Sequence, residues 1–143
     1  KAEGNNERGP EDLFMDGAEI FSFTLDEVPP LVSGLMEARG WSQSDVDAFV
    51  FHQANKFMLS HLATKMGVPM DKVPLSLTEY GNTSCASIPL TMTAAMREPL
   101  TMGSRNLLMA GFGVGYSWAG CTVTCGPMAC PEMIFVEEKE TVL

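Results

Sequence analysis

The sequence predicts an α/β domain with a five-stranded mixed sheet covered by helices, in the element order βαβαβαββ. Segments with the alternating or continuously apolar character of strands take turns with segments that have helical spacing. Such alternation indicates a mostly parallel sheet, because parallel neighbours need a long crossover between them. Only a short glycine-rich turn joins the last two strands, so that pair is predicted to be antiparallel.

Five segments are typical of strands. Residues 18–25 alternate apolar and polar side chains, whereas residues 48–52 form a continuous apolar run of the buried type. Signals of the same kind predict the remaining strands at residues 73–77, 105–112 and 117–124.

The first helix is predicted over residues 27–39. Asp26 is expected to cap its start, and Gly40 to end it. Pro29 and Pro30 then fall in the first turn, where the missing amide donors cost little.

Two further helices follow from the spacing of apolar residues. One is predicted over residues 55–66 and ends at Gly67. The other runs from residue 84 or 85 to residue 98, with Pro89 near its start and Pro99 just past its end.

The composition is that of one globular domain. With 143 residues, of which 45% are hydrophobic, the chain can form a core. A domain of this size buries roughly two-thirds of the surface of its unfolded chain. The net charge of −9 argues against nucleic acids and anionic membranes as partners, since both select clusters of Lys and Arg. No apolar run reaches the roughly 18 residues that span a bilayer, and the cytoplasm is the default compartment.

Three regions are expected along the chain. Residues 1–12 resemble an exposed linker without a signal-peptide pattern, as though the chain had been cut from a longer one. Residues 13–125 hold the predicted domain. Residues 126–143 form an acidic tail that is expected to be loosely attached.

The cysteines do not predict a metal site or a disulfide framework. Cys85 stands alone, and Cys121, Cys125 and Cys130 lack the C-x-x-C spacing of zinc ligands. Cys121 and Cys125 are expected to share one face of a strand, where a thiol behaves as a small hydrophobe. We therefore expect four buried thiols, no metal and no cofactor.

Three segments whose residues could take part in binding or catalysis follow the predicted strands. Residues 52–55 come directly after the second strand, residues 80–84 come after the third, and residues 111–115 form the turn of the final hairpin. In open α/β sheets, ligands bind at the carboxyl ends of the strands. The three segments are therefore expected to converge on one cleft.

His52 and Asn82 are the side chains best suited to chemistry in this cleft. Both can donate N–H groups to an enolate or oxyanion as its charge develops. Gly81 permits an unusual backbone conformation, and Thr83 or Ser84 can cap the following helix, which leaves the Asn82 amide free. The backbone amides of the glycine-rich turn could stabilise an oxyanion as well.

Each signal also has a simpler explanation. A single His at a strand end is more often structural than catalytic, and Asn-Thr-Ser after Gly is more often only a turn and a cap. No helix follows the glycine-rich turn, so the glycines do not match the G-x-G-x-x-G motif and give little support to nucleotide binding. Cys85 is expected to be packed, with no cationic partner in sequence to lower its pKa. The serines lack a G-x-S-x-G nucleophile elbow.

The motifs resemble those of ketoacyl-acyl-carrier-protein synthase III, in the same order and over residues 13–124. H-Q-A-N followed by G-N-T-S at this separation is specific, although either alone would not be. The resemblance rests on Met15-Asp16-Gly17, His52-Gln53-Ala54-Asn55, Tyr80-Gly81-Asn82-Thr83-Ser84 with Ala86-Ser87, and Gly111-Phe112-Gly113-Val114-Gly115 with Trp118.

The resemblance implies the C-terminal half of a thiolase-like fold that is built from two similar halves. The family's catalytic set is Cys, His and Asn, of which His52 and Asn82 match the second and third members. The Cys belongs to the N-terminal half, which is not in this sequence, and Cys85 does not match it. By the same resemblance Gly113 and Val114 belong to the oxyanion hole, and Asn55 and Phe112 to the substrate channel.

The implied reaction is a decarboxylative Claisen condensation of fatty acid or related polyketide biosynthesis, with acyl-CoA and malonyl-acyl-carrier protein as substrates. A homodimer is also implied, and the chain alone is expected to be inactive. Many relatives carry a basic residue two places after H-Q-A-N, where this chain has Phe57, with Lys56 one place earlier. A CoA-bound acceptor therefore stays open, as does a non-catalytic binding or interaction domain.

Overall fold

The computed structural model, which describes residues 9, 11 and 15–136, is an α/β fold built on one three-stranded sheet. The first two strands are parallel, and the last two are antiparallel, as predicted. The strands are β1 (Ala48–Phe51), β2 (Arg105–Gly113) and β3 (Ser117–Cys125), in that spatial order.

Among the described residues, five helices accompany the sheet, and four of them lie in the chain between β1 and β2. None of the helices in the described part of the chain has the length and apolar character needed to cross a membrane. The helices are α1 (Gly17–Arg39), α2 (Lys56–Met66), α3 (Leu77–Tyr80), α4 (Ser87–Ala95) and α5 (Arg97–Met102), with short 3-10 turns at Gln43–Asp45, Met70–Lys72 and Ser84–Ala86.

The sheet separates two apolar cores, because successive side chains of β1 and β2 point to opposite faces. On one face, Phe49 and Leu108 pack with side chains of α1 and α2. On the other face, Val50 and Leu107 pack with Leu100 of α5 and its neighbours. Helices therefore cover both faces of a short sheet, as expected for an α/β fold.

The predicted five-stranded sheet is wrong in two places, and the first is residues 18–25, which lie inside α1. The buried side chains of this helix are Thr24, Val28 and Val32, spaced four residues apart on one face. Eight residues of alternating polarity also fit two turns of an amphipathic helix, so the pattern alone could not decide between the two.

The start of α1 explains why the predicted cap at Asp26 is also wrong. Asp16 Oδ1 accepts the amides of residues 18 and 19 at 3.1 Å each, which is an N-cap ten residues earlier in the chain. Asp26 instead accepts a hydrogen bond from Lys65 Nζ at 3.3 Å. Pro29 and Pro30 therefore lie in the helix interior, where each removes one amide donor, and the buried valines on either side offset that cost.

The second missing strand is residues 73–77, which form an irregular segment leading into α3. Its backbone groups bond to a buried side chain instead of a neighbouring strand. Gln53 Oε1 accepts the Ser76 amide at 3.0 Å. Gln53 Nε2 donates to the carbonyls of Phe51 at 2.9 Å and Pro74 at 3.4 Å. The segment is held close to the end of β1 without joining the sheet.

The predicted third helix is split into a 3-10 turn, α4 and α5. The break falls at Met96, whose φ of −124° is not helical. A proline ring clashes with the carbonyl four residues earlier, so Pro99 cannot continue a helix through Ala95. Pro99 therefore lies in the first turn of α5 and not beyond the end of the helix, as the sequence had suggested.

The two ends of the chain are described only in part. Most of the predicted linker over residues 1–12 and the acidic stretch from residue 137 lie outside the described residues. Within residues 126–136, the Met128 amide donates to the Leu100 carbonyl at 3.0 Å, and Arg97 Nε donates to the Cys130 carbonyl at 3.0 Å. This part of the tail therefore packs back along α5.

The expectation of four buried thiols is wrong. Cys85 and Cys121 are exposed, and Cys125 and Cys130 are half-buried; all four are free. Cys121 and Cys125 do share one face of β3, as predicted, because they are four residues apart in a regular strand whose successive side chains point to opposite faces.

Candidate active site

A cavity of about 780 Å³ lies where β1 and β2 end, between the start of α1 and the start of α4. It has the size of a small-molecule site. The cavity wall contains all six residues that the sequence singled out, namely His52, Asn55, Asn82, Phe112, Gly113 and Val114.

His52 follows β1 directly and is held at three points. Its backbone amide donates to the Ala110 carbonyl at 2.9 Å, which continues the parallel ladder by one residue. Its Nδ1 lies 2.7 Å from the Ser87 hydroxyl oxygen. The Phe112 ring meets the imidazole edge to face, with 5.7 Å between the ring centres. The position of the imidazole is therefore set by β1, β2 and α4 together.

Burial lowers the pKa of His52 below its ordinary value of 6.5, because a half-buried imidazole loses part of the hydration of its charged form. A hydrogen bond with the backbone of Ser84 acts in the opposite direction and is the smaller cause. The imidazole is accordingly neutral near pH 7. A neutral imidazole carries one N–H donor and one acceptor nitrogen.

Asn82 is oriented by its own turn. Its Oδ1 accepts the Ser84 amide at 2.9 Å, which is an Asx-type contact two residues along the chain. Because a backbone N–H bonds only to the oxygen of the amide, the Nδ2 group is the part of Asn82 left for other partners. Gly81 has φ +67°, so the unusual backbone predicted there is confirmed.

Neither predicted cap of the helix after Asn82 is present. Thr83 and Ser84 make no side-chain cap bond, and Ser84 itself has φ +53°. Thr83 Oγ1 is buried and has no hydrogen-bond partner among the described residues. The Asx contact at Asn82 thus takes the place of a hydroxyl cap.

Asn55 and Phe112 both lie on the cavity wall. Asn55 is the N-cap of α2, and its Oδ1 accepts the Met58 amide at 2.8 Å. The helix predicted over 55–66 is therefore confirmed to within one residue, and Gly67 ends it with φ +67°. The amide nitrogen of Asn55 stays available at the cavity mouth.

Gly113 and Val114 form the wall at the end of β2. The turn that follows requires glycine at residue 115, which has φ +142° and where a Cβ atom would lie 2.6 Å from Ser117 Oγ. Side chains are small here, so the main chain of the turn can come close to a ligand.

Sequence reasoning named Ser87 and Gln53 within its motifs but assigned no role to either, although both organise this site. Ser87 is the first residue of α4 and contacts His52, and Gln53 holds the segment before Asn82. A hydroxyl one turn beyond a predicted cap could have pointed to Ser87. Cys85, which was expected to be packed, is exposed and lines the cavity.

An exposed aromatic cluster lies beside Asn55. The Phe57 side chain is 63% exposed, stacks on Phe21 at 5.5 Å between ring centres, and contacts the His61 ring at 4.1 Å. The surface next to the cavity mouth is therefore apolar. Within residues 15–136, no three His, Cys, Asp or Glu side chains come together as a metal site would require.

Comparison with known proteins identifies the fold and the family. Residues 36–125 match the family model of the 3-oxoacyl-[acyl-carrier-protein (ACP)] synthase III C terminal domain. A beta-ketoacyl-[acyl-carrier-protein] synthase III of Streptococcus gordonii is 39% identical over 114 residues, which is 78% of this chain and 35% of the relative.

Solved structures give the same result. A 3-oxoacyl-(acyl-carrier protein) synthase from Burkholderia xenovorans LB400 superimposes with a TM-score of 0.82 and 54% identity, over 85% of this chain and 35% of that one. A 3-oxoacyl-(acyl carrier protein) synthase III from Pseudomonas aeruginosa PAO1 superimposes with a TM-score of 0.76 and 29% identity, over 81% of this chain and 37% of that one.

The matches agree on the share of each relative that this chain covers. The chain spans about a third of the length of the relatives it matches. The matched third carries the α/β, thiolase-like fold of these synthases, with three strands in the part described here. Because the family model covers more than half of the sequence, the chain belongs to the family of 3-oxoacyl-[acyl-carrier-protein] synthase III C-terminal domains.

Proposed function

We propose that this chain is the C-terminal half of a 3-oxoacyl-acyl-carrier-protein synthase III, which joins an acyl thioester to a malonyl thioester by decarboxylative Claisen condensation. Fatty acid biosynthesis, or related polyketide biosynthesis, would use this step. The observation that supports it most directly is that His52 and Asn82 line one cavity at the end of the sheet, each with one polar atom already bonded to the protein.

The proposed reaction places negative charge next to these two residues. The bond between the malonyl carboxylate and the α-carbon breaks, CO2 leaves, and the electron pair forms an enolate whose oxygen carries the charge. His52 and Asn82 then donate hydrogen bonds to that oxygen. Donors that are already in place stabilise such charge without reorganisation, and the loss of one donor typically costs about 2.7–4 kcal/mol.

The neutral state of His52 suits this role. A lowered pKa keeps the imidazole uncharged near pH 7, so it donates a hydrogen bond without transferring its proton. The Asn82 carboxamide is neutral at every pH. The pair would therefore stabilise the enolate as neutral donors, while the enolate carbon keeps its nucleophilic character.

The second half of the reaction needs the acyl carbonyl. The enolate carbon attacks this carbon, a new carbon–carbon bond forms, and the thiolate that carried the acyl group leaves. Backbone amides at Gly113 and Val114 would stabilise the oxyanion of this step. Asn55 and Phe112, on the same cavity wall, would contact the arm of the incoming thioester.

The acyl-carrying cysteine would come from the N-terminal half. The aligned residues make up only 35% of the Streptococcus gordonii relative, which leaves ample sequence for such a half. Cys85 lines the cavity, but the family resemblance does not match it to the nucleophile, and we do not assign it that role. We accordingly propose that the isolated chain is inactive, that the complete enzyme uses acyl-CoA and malonyl-acyl-carrier protein, and that it works as a homodimer.

A chimera tests this function. The matched third of the Burkholderia xenovorans synthase is replaced by this chain, and malonyl decarboxylation and condensation are measured. His52→Ala is expected to reduce turnover about 100-fold to 1,000-fold. His61→Ala is the matched control, because His61 is the other histidine of the chain and does not line the cavity.

Two results would contradict the proposal. Equal turnover of the parent chimera and His52→Ala would remove His52 from the chemistry and favour a binding domain that keeps only the fold. Turnover by the isolated chain would show that the nucleophile had been assigned to the wrong half.

A further inference from the structure

We propose that Ser87 is a positioning residue that selects the tautomer of His52. In this arrangement the Ser87 hydroxyl donates to Nδ1, so that the only N–H of the imidazole is on Nε2. The inference rests on the proposed role of His52 as a donor, and it assigns to Ser87 the task of presenting that donor.

The contact is short and shielded from water. Ser87 Oγ lies 2.7 Å from His52 Nδ1, and Ser87 is 1% exposed. In the part of the chain described here, His52 Nδ1 is the one hydrogen-bond partner of this hydroxyl oxygen. Competition from solvent is therefore weak, and the protein decides the direction of the bond.

Hydrogen-bond satisfaction gives that direction. A hydroxyl has one proton to donate, and a buried donor without an acceptor is costly. If Nδ1 carried the proton, Ser87 would accept, and its own proton would have no acceptor among the described residues. Donation from Ser87 to an unprotonated Nδ1 satisfies both groups, and it leaves the proton of the neutral ring on Nε2.

A buried polar chain holds Ser87 in this position. The Thr91 hydroxyl donates to the Ser87 carbonyl at 2.7 Å and also contacts the Ser76 hydroxyl at 2.7 Å. The Ser76 amide in turn donates to Gln53, the residue after His52. All four of these polar residues are buried. The series of contacts thus starts at His52, just after β1, and returns to the next residue of the chain, Gln53.

The consequence is a matched pair of donors. Asn82 keeps its Nδ2 group free because Oδ1 accepts an amide. His52 carries its one N–H on Nε2 because Nδ1 accepts a hydroxyl. The Ser84 backbone, which raises the pKa of His52, is a second hydrogen-bond partner of the imidazole, and a ligand oxygen would share or replace that contact. Two unrelated local contacts therefore orient the donor groups of both side chains.

Nuclear magnetic resonance of the isolated chain tests the inference without any turnover. Long-range 1H–15N correlation distinguishes a protonated ring nitrogen from an unprotonated one, at a pH where the imidazole is neutral. His52 is assigned by the signals lost in His52→Gln. We expect one tautomer, with the proton on Nε2 and Nδ1 unprotonated.

Three variants complete the test. Ser87→Ala is expected to give a mixture of tautomers, and Ser87→Thr to restore the Nε2–H form, because it keeps the hydroxyl. Thr93→Val is the matched control, since it removes a hydroxyl from the same helix that bonds to the Pro89 carbonyl and not to His52. In the chimera, Ser87→Ala should lower kcat by roughly 10-fold to 100-fold with little change in KM, the range for residues that orient a functional histidine.

The outcomes separate the two proposals. A proton on Nδ1 in the parent chain overturns the role of Ser87, even if Ser87→Ala fails to fold. An unchanged tautomer in folded Ser87→Ala overturns it as well. An inactive chimera whose His52 has the Nε2–H form would instead overturn the proposed function and leave the role of Ser87 intact.

Discussion

Gln53 Oε1 accepts the backbone amide of Ser76 at 3.0 Å, and this bond joins the end of β1 to the segment that leads to Asn82. The same side chain donates to the Phe51 carbonyl at 2.9 Å. Gln53 is fully buried. One side chain therefore replaces the strand pairing that residues 73–77 lack, and it fixes the distance between His52 and the loop that carries Asn82.

Gln53→Ala should destabilise the fold strongly. The change leaves a buried amide and a buried carbonyl without partners, each costing about 1–3 kcal/mol. We expect a loss of about 3 kcal/mol in the free energy of unfolding, measured by urea denaturation. Gln43→Ala, which removes a single contact to the Met66 carbonyl at 3.2 Å, is the control and should cost about 1 kcal/mol or less. Equal losses for the two variants would contradict the role assigned to Gln53.

Asn82→Asp should abolish most malonyl decarboxylation in the chimera. The carboxylate can still accept the Ser84 amide, so the turn is kept, but it replaces a donor with a negative charge beside the enolate. A loss in kcat of at least about 100-fold is expected. Asn55→Asp is the matched comparison, since it keeps the cap of α2 and should change KM more than kcat. A kcat effect that is larger at residue 55 than at residue 82 would exclude Asn82 from the reacting centre.

The stability of the chain should fall as the pH drops below 6.5. The pKa of His52 is lowered in the folded state by burial, against an ordinary value of 6.5 that we take for the unfolded chain. Between these two pKa values the unfolded chain binds a proton that the folded chain does not, so the free energy of unfolding rises with pH there. The contribution of neutral His52 to the free energy of unfolding is complete above pH 6.5. It is lost as the pH falls from 6.5 through the lowered pKa of the folded state.

His52→Gln isolates this contribution from that of the carboxylates. The urea midpoint is measured at about pH 5 and about pH 8 for the parent and the variant. The parent should lose more stability on acidification than His52→Gln. A parent and a His52→Gln variant with equal pH dependence would refute the lowered pKa.

Gly120→Ala and Gly34→Ala should have opposite effects on stability. A Cβ atom at residue 120 would lie 2.8 Å from both Leu35 Cδ1 and the Met109 carbonyl oxygen, so the Leu35 side chain of α1 would have to shift and the backbone pairing of β2 with β3 would be strained. Such overpacking typically costs 1–3 kcal/mol. Gly34 lies within α1 with no atom within 4 Å of the same position, and Ala there should stabilise by about 0.5–1 kcal/mol. A stabilising Gly120→Ala would show that α1 does not rest on the sheet in this way.

Local pattern was enough for several elements. The apolar run that became β1, the hairpin of β2 and β3, and the helix between Asn55 and Gly67 all form where the sequence predicted them. For the hairpin and the helix the deciding contacts are made with near neighbours in the chain, such as the Asn55 cap on Met58, whereas β1 is recognisable from its continuous apolar run although it pairs with the distant β2. Short-range contacts of this kind can be read from residue types and spacing.

The sequence by itself determined which residues approach the cavity, because strand ends, a glycine turn and an Asx turn are local features. Only the tertiary structure decided how they are held there. Residues 18–25 became helix because β2 and β3 offered α1 an apolar face. Residues 73–77 stayed out of the sheet because Gln53 took their hydrogen bonds. Ser87 met His52 across 35 residues of sequence. Such contacts depend on where separate elements pack, and no spacing within one segment specifies them.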